Sequence, residues 1–133
     1  MNFQLFSLTL IMLISFYIVL SFNVIRFRRQ NRLPTGDNNE IKFRNAIRSH
    51  ANCGEYLPLL LLELYILTQL DVNVFLFGAL CLAAICGRFI HAYGLNFHET
   101  RVPAVFTGRQ VGMVLTFACL IVSGVAIFFY GCC

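Results

Sequence analysis

The sequence predicts an all-α integral membrane protein, a single transmembrane domain of four helices over residues 1-133. Apolar residues make up 59% of the chain and charged residues 12%, which leaves too little polar surface to clothe a soluble domain of 133 residues. Four apolar stretches each approach or exceed the roughly 20 residues that a helix needs to cross about 30 Å of hydrocarbon. The 10 Lys and Arg all fall on one side of the resulting topology.

The first span covers residues 3-25. Its start, MNFQLFSLTLIMLISFYIVL, has no basic leading region and no small-x-small cleavage site, so this helix is expected to stay in the mature protein. A loop over residues 26-45 follows, with a Pro-Thr-Gly turn and an Asp-Asn-Asn-Glu cluster suited to capping the next helix. That helix is expected to begin near Ile41, outside the membrane, and to span it over residues 46-70. From Ile41 to Leu70 is about 45 Å of helix, so its first turns project beyond the hydrocarbon. Pro58 removes one backbone hydrogen bond and is expected to kink the helix. The tight Asp71-Val72-Asn73 turn leads into the third span, residues 74-94. A second loop over residues 95-104 leads to the fourth span, residues 105-130.

Arg26, Arg28, Arg29, Arg32, Lys42, Arg44 and Arg48 lie between the first span and the mouth of the second, and Arg88, Arg101 and Arg109 flank the connection between the third and fourth. The positive-inside rule then predicts non-cytoplasmic termini and two cytoplasmic basic loops. The net charge of +4 describes a surface facing the membrane headgroups and gives no reason to infer nucleic acid. Cys81, Cys86 and Cys119 fall within spans, where Cys behaves as a small hydrophobe, and no cysteine pair has metal-ligand spacing, so no metal site is expected.

The chemistry concentrates in RSHANCGEYLP, Arg48 to Pro58, at the mouth of the second span. At 100° per residue, Arg48, Asn52, Glu55 and Tyr56 share an arc of about 100°, which Arg44 extends. Such a face does not point at acyl chains; it looks into a bundle or at a neighbouring subunit. Geometry alone allows an interhelical clamp as readily as a binding site. Glu55 lies about 22 Å from the far end of the span, near the hydrocarbon boundary. In the third span Arg88, His91 and Leu95 stack on one face, and Arg88 needs an anionic partner, for which Glu55 is at the right depth. Arg101 and Arg109 add cations at the same level.

Arg-x-x-x-Asn-x-x-Glu-Tyr-x-Pro at Arg48, Asn52, Glu55, Tyr56 and Pro58, followed by Gly-Arg-x-x-His-x-Tyr-Gly at Gly87, Arg88, His91, Tyr93 and Gly94, resembles the MAPEG family, membrane-associated proteins in eicosanoid and glutathione metabolism. The resemblance covers nearly the whole chain and is strongest to the family's small bacterial inner-membrane members. It implies a homotrimer of four-helix protomers with glutathione bound between subunits on the cytoplasmic side. It implies glutathione contacts from Arg48, Asn52, Glu55 and Tyr56, with His50, Arg29, Arg88 and His91 in the same binding set. It also implies thiolate stabilisation by Arg101, two residues before Pro103. The chain departs from the eicosanoid-making members by carrying His91 and Leu95 where they have tyrosines, and His50 in place of a polar amide.

Glutathione brings two carboxylates and an ammonium, which suit Arg forks and a Glu, and its thiol becomes a nucleophile once a guanidinium favours the thiolate. The expected activity is that of a glutathione transferase or peroxidase acting on hydrophobic electrophiles that arrive from the lipid. Two other readings stand beside it. A lipid-binding or scaffold protein is also represented in the family. A small proton-coupled transporter would use Glu63, a carboxylate deep in the second span.

Overall fold

The computed structural model describes residues 1–98 and 106–132, and the regular structure within them is helical throughout. Helix α1 runs Asn2–Asn31, α2 Ile41–Thr68, α3 Val74–Tyr93 with a π-helical turn at Gly94–His98 continuing it, and α4 Thr107–Cys132. The connections α1–α2 and α2–α3 follow from local chemistry.

Helix α1 ends because Arg32 turns into the left-handed region (φ 51, ψ 36), where its N–H meets the Arg28 and Arg29 carbonyls, and Pro34 cannot continue the ladder. The polar cluster before α2 works differently from the expected cap. Glu40 is the N-cap residue but makes no side-chain cap hydrogen bond; instead Asn31 Nδ2 donates to Glu40 Oε2 at 3.3 Å and the Asn39 N–H donates to Asp37 Oδ1 at 3.0 Å. The cluster therefore ties the loop to α1 and to itself. Helix α2 starts at Ile41 as expected and passes through Pro58 without interruption. At the opposite end, Asn73 caps α3 by accepting from the Phe75 N–H at 2.9 Å, and Asn2 Nδ2 donates to the Val72 carbonyl at 2.9 Å.

By length and hydropathy, α1, residues Val74–Phe97 and α4 can each cross a membrane. Helix α2 is less apolar on its own because Glu55 and Glu63 interrupt it, but Leu57, Leu60, Leu64 and Leu67, spaced at i, i+3, i+7 and i+10, form its buried stripe. Those leucines meet Leu13 of α1, Phe77, Leu80 and Ala84 of α3, and Cys119 and Ala126 of α4 in one core. Outward faces are apolar: Ile11, Val19 and Phe22 of α1 and Val114, Ile121 and Phe128 of α4 are all exposed. Water would penalise such a surface, whereas hydrocarbon solvates it. The protein is an integral membrane four-helix bundle.

Neighbouring helices pack around the ring in the order α1, α2, α4, α3, with α2 and α3 also in contact across it. The most extensive contact joins α3 to α4, and small residues make it possible. A Cβ added at Gly112 would stand 2.4 Å from the His91 N, and one at Gly94 would stand 2.5 Å from the Arg109 N. Backbones this close admit no side chain, the small-residue packing expected between helices in lipid. Gly112→Ala must push α3 from α4 and is expected to lose about 1 to 3 kcal/mol, read as a lower midpoint of thermal unfolding in detergent. An unchanged midpoint would contradict the close crossing.

Candidate functional site

A cavity of about 510 Å³ opens at the basic end of the bundle. Helix α2 lines it with Arg44, Asn45, Arg48, Asn52 and Glu55; His91 of α3, Leu95 of the π turn, and Arg109 and Met113 of α4 complete the wall. The arc predicted on α2 supplies most of the polar side, since one helical face carries Arg44, Arg48, Asn52 and Glu55. Asn45 lies on the same polar arc, a position that periodicity alone would have flagged. Its Nδ2 donates to the Leu95 carbonyl at 2.9 Å, fastening the π turn to α2.

Arg48 and Glu55 are exposed, Asn52 is partly buried and His91 is buried. Among the described residues, the charged groups lining the cavity are thus the guanidinium groups of Arg44, Arg48 and Arg109 and the carboxylate of Glu55. Arg44 has a competing partner. Its Nε donates to Asp37 Oδ2, forming the one ion pair among the described residues. That bond, followed by the Asn39 N–H, holds the Asp37 carboxyl below its usual range. A carboxyl whose folded pKa is depressed contributes stability above its unfolded value, about 4, and loses it as pH falls through the folded value. Amide exchange at Asn39 is therefore expected to accelerate as pH drops below about 4, after correction for intrinsic rates. In Asp37→Asn that acceleration should disappear.

Arg88 stands behind the cavity wall and is 1% exposed. Its Nη1 donates to Asn52 Oδ1 at 2.9 Å, its Nη2 donates to Thr116 Oγ1, and its guanidinium lies 5.3 Å from the centroid of the Tyr56 ring. The expected Arg88–Glu55 pair is not formed. Neutral oxygens and a π face surround the buried cation instead, while Glu55 keeps to the exposed side of α2. Arg88 thus acts on the cavity through Asn52.

The structure brings Arg48, Asn52, Glu55 and His91 together and places Tyr56, His50, Arg29 and Arg88 elsewhere. Tyr56 lies under Arg88 with its ring edge-on to Phe117, centroids 5.6 Å apart. His50 stacks on Tyr17 of α1 at 4.7 Å, on a different side of α2 from Arg48. Arg29 is exposed near the end of α1 and is absent from this cavity's wall. Arg101 lies outside the described residues. Arg44 and Arg109, noted in the sequence only as cations at the right level, do line the wall.

Glu63 sits farther along α2 and is partly buried, accepting a hydrogen bond from the Ser123 hydroxyl of α4. The Cys119 carbonyl lies 2.7 Å from the same hydroxyl oxygen and competes for its single proton. This carboxyl therefore joins α2 to α4 inside the bundle. Among the described residues no cluster of His, Cys, Asp and Glu has the arrangement of a metal site.

Comparison with known proteins agrees with this architecture. The family model of the MAPEG family matches residues 6–129. The chain is similar to the inner membrane protein YecN of Escherichia coli (strain K12), at 29% identity over 110 residues, covering 83% of this chain and 79% of the relative. It matches the inner membrane protein YecN of Escherichia coli O6:H1 to the same extent, 29% over 110 residues. A four-helix membrane bundle whose family match runs from the first helix to the last, the chain belongs to the MAPEG family.

Proposed function

We propose that the protein is a membrane-bound glutathione transferase or peroxidase that joins glutathione, held in the cavity at the basic end, to hydrophobic electrophiles from the lipid. One observation carries this reading: Arg44, Arg48 and Arg109 converge with Glu55 on a single cavity of about 510 Å³ at the basic end of the bundle. Three guanidinium groups and one carboxylate complement a tripeptide with two carboxylates and one ammonium. A guanidinium near the sulfur favours the thiolate; the thiol proton leaves to water, and the sulfur then bonds to the electrophilic carbon as that carbon's leaving group departs with its electron pair, or, in the peroxidase case, to a hydroperoxide oxygen as the O–O bond breaks and the departing alkoxide takes a proton from water. Arg109 lines the cavity wall and is one candidate for that role; Arg101, eight residues earlier in the sequence, is the other.

Assembly as a homotrimer belongs to the same reading. Arg44, Arg48, Ala51, Glu55, Leu59 and Leu62 form one exposed face along α2, charged at the basic end and apolar below it. Charged groups at this depth are costly against lipid, so neighbouring copies are the natural cover, and they close the cavity between subunits. The basic loops face the cytoplasm in this arrangement, in keeping with the positive-inside rule, and the membrane is a bacterial inner membrane, as the name of the YecN relatives suggests. The carrier alternative rests on Glu63, which its hydrogen bond to Ser123 already accounts for as a link between helices.

Calorimetric titration of glutathione into the detergent-solubilised protein tests the reading. Saturable binding of one glutathione per chain supports it. No heat at millimolar glutathione would remove it in favour of a scaffold.

A further inference from the structure

A second groove, about 490 Å³, lies at the basic end on the opposite edge of the helix ring, between α1 and α3. It is built as an amphiphile's shape in negative. Its deep part is apolar, with the rings of Phe16 and Phe89 stacked at 4.0 Å across the two helices and Val19 beside them. Asn23, Arg26 and Asn96 line its outer part. Phe16 and Arg26 are 10 residues apart on one helix, so the floor and the cation are separated by about 15 Å along the axis. Arg26 is exposed, and among the described residues neither it nor Asn23 has a hydrogen-bond or ion-pair partner.

We propose that this groove binds one anionic phospholipid, with its phosphate at Arg26 and Asn23 and an acyl chain over the Phe16–Phe89 stack. Charge complementarity selects the occupant. Among the described residues the lining holds a cation and no carboxylate, so an anionic phosphate is compensated while the ammonium of a zwitterionic headgroup meets no opposite charge. A second copy of the chain is a poor match. Among the described acidic residues, Asp37 is paired with Arg44, Glu40 accepts from Asn31, Glu63 accepts from Ser123, Glu55 faces the other cavity, and Asp71 lies in the turn at the far end of the bundle. Each of them is thus engaged within its own chain or lies away from this groove. The site is independent of the glutathione reading, since it shares no lining residue with that cavity.

Native mass spectrometry of the detergent-purified protein, titrated separately with phosphatidylglycerol and phosphatidylethanolamine, tests the site. The expected result is one phosphatidylglycerol retained per chain at concentrations where phosphatidylethanolamine is lost. Arg26→Gln is expected to weaken phosphatidylglycerol by about fivefold, the worth of one basic residue at an anionic headgroup. Val19→Trp, which fills the groove and alters no charge, should weaken both lipids, and Arg29→Gln should leave the preference intact. Equal retention of the two lipids by the parent protein overturns the proposal, as does an Arg29→Gln effect equal to that of Arg26→Gln, which would mean diffuse attraction to a basic surface. Displacement of phosphatidylglycerol by a free fatty acid at equal concentration, with loss of that displacement in Arg26→Gln, would overturn the choice of occupant.

Discussion

Arg88→Met is expected to destabilise the bundle by about 2 to 3 kcal/mol and, under the proposed function, to weaken glutathione binding about tenfold. Methionine fills most of the same space but supplies no donor. Asn52 of α2 and Thr116 of α4 both lose the guanidinium that links them to α3, and the Tyr56 ring loses its cation. Each hydrogen bond to a charged group is worth about 1.5 to 3 kcal/mol, and the cost of burying the guanidinium offsets part of that sum. Thr116 keeps its bond to the Gly112 carbonyl, at 2.8 Å, so Asn52 is left with the larger loss. Because Asn52 lines the cavity while Arg88 stands behind it, the binding defect measures positioning. Arg88→Lys restores a charge but not a fork, and should recover stability more than affinity. Thermal unfolding and glutathione titration on the same three proteins check this. A Met variant that matches the parent in both would show the network to be idle.

The parts of this molecule that local sequence can encode were legible in it. Pro34, Gly36 and the Asn-rich run announce the loop before Ile41, and Asn73 announces the start of α3, because breakers and caps act on their own backbone. The polar face of α2 was equally legible, since a period of 3.6 residues places Arg48, Asn52 and Glu55 together whatever the rest of the chain does. What failed needed knowledge of the partner helix. Arg88 invited a carboxylate, yet α2 and α4 present it with an amide, a hydroxyl and an aromatic ring. The π turn at Gly94–His98 has no local signature; it lies where Gly94 passes against the backbone of Arg109 and Asn45 holds the Leu95 carbonyl. His50 follows the same period: two residues from Arg48, it lies about 200° around the helix from it and stacks on Tyr17 of α1.

Arg48→Ala and Glu55→Gln are expected to weaken glutathione binding by roughly 10-fold to 150-fold each, the worth of one charge-assisted hydrogen bond of about 1.5 to 3 kcal/mol. Both side chains are exposed on the face of α2 that lines the cavity, and neither is a described partner of Arg88, so their loss should leave the unfolding midpoint close to that of the parent. That separates them from Arg88→Met. The two substitutions should also differ in what they discriminate. A glutathione analogue lacking the α-ammonium should lose affinity for the parent protein but lose little more on Glu55→Gln, because the carboxylate that met the ammonium is already gone. On Arg48→Ala the same analogue should still lose its full increment if, as proposed, the guanidinium answers a carboxylate elsewhere on the tripeptide. Arg109→Ala provides the third axis. If its guanidinium lies near the sulfur, the thiolate absorbance of the bound glutathione should appear at higher pH in this variant than in the parent, with affinity changed less than in Arg48→Ala. Titration of the variant along the parent's curve would move the thiolate role to Arg101, and additive losses for the analogue on Glu55→Gln would mean that the ammonium is held by some other group.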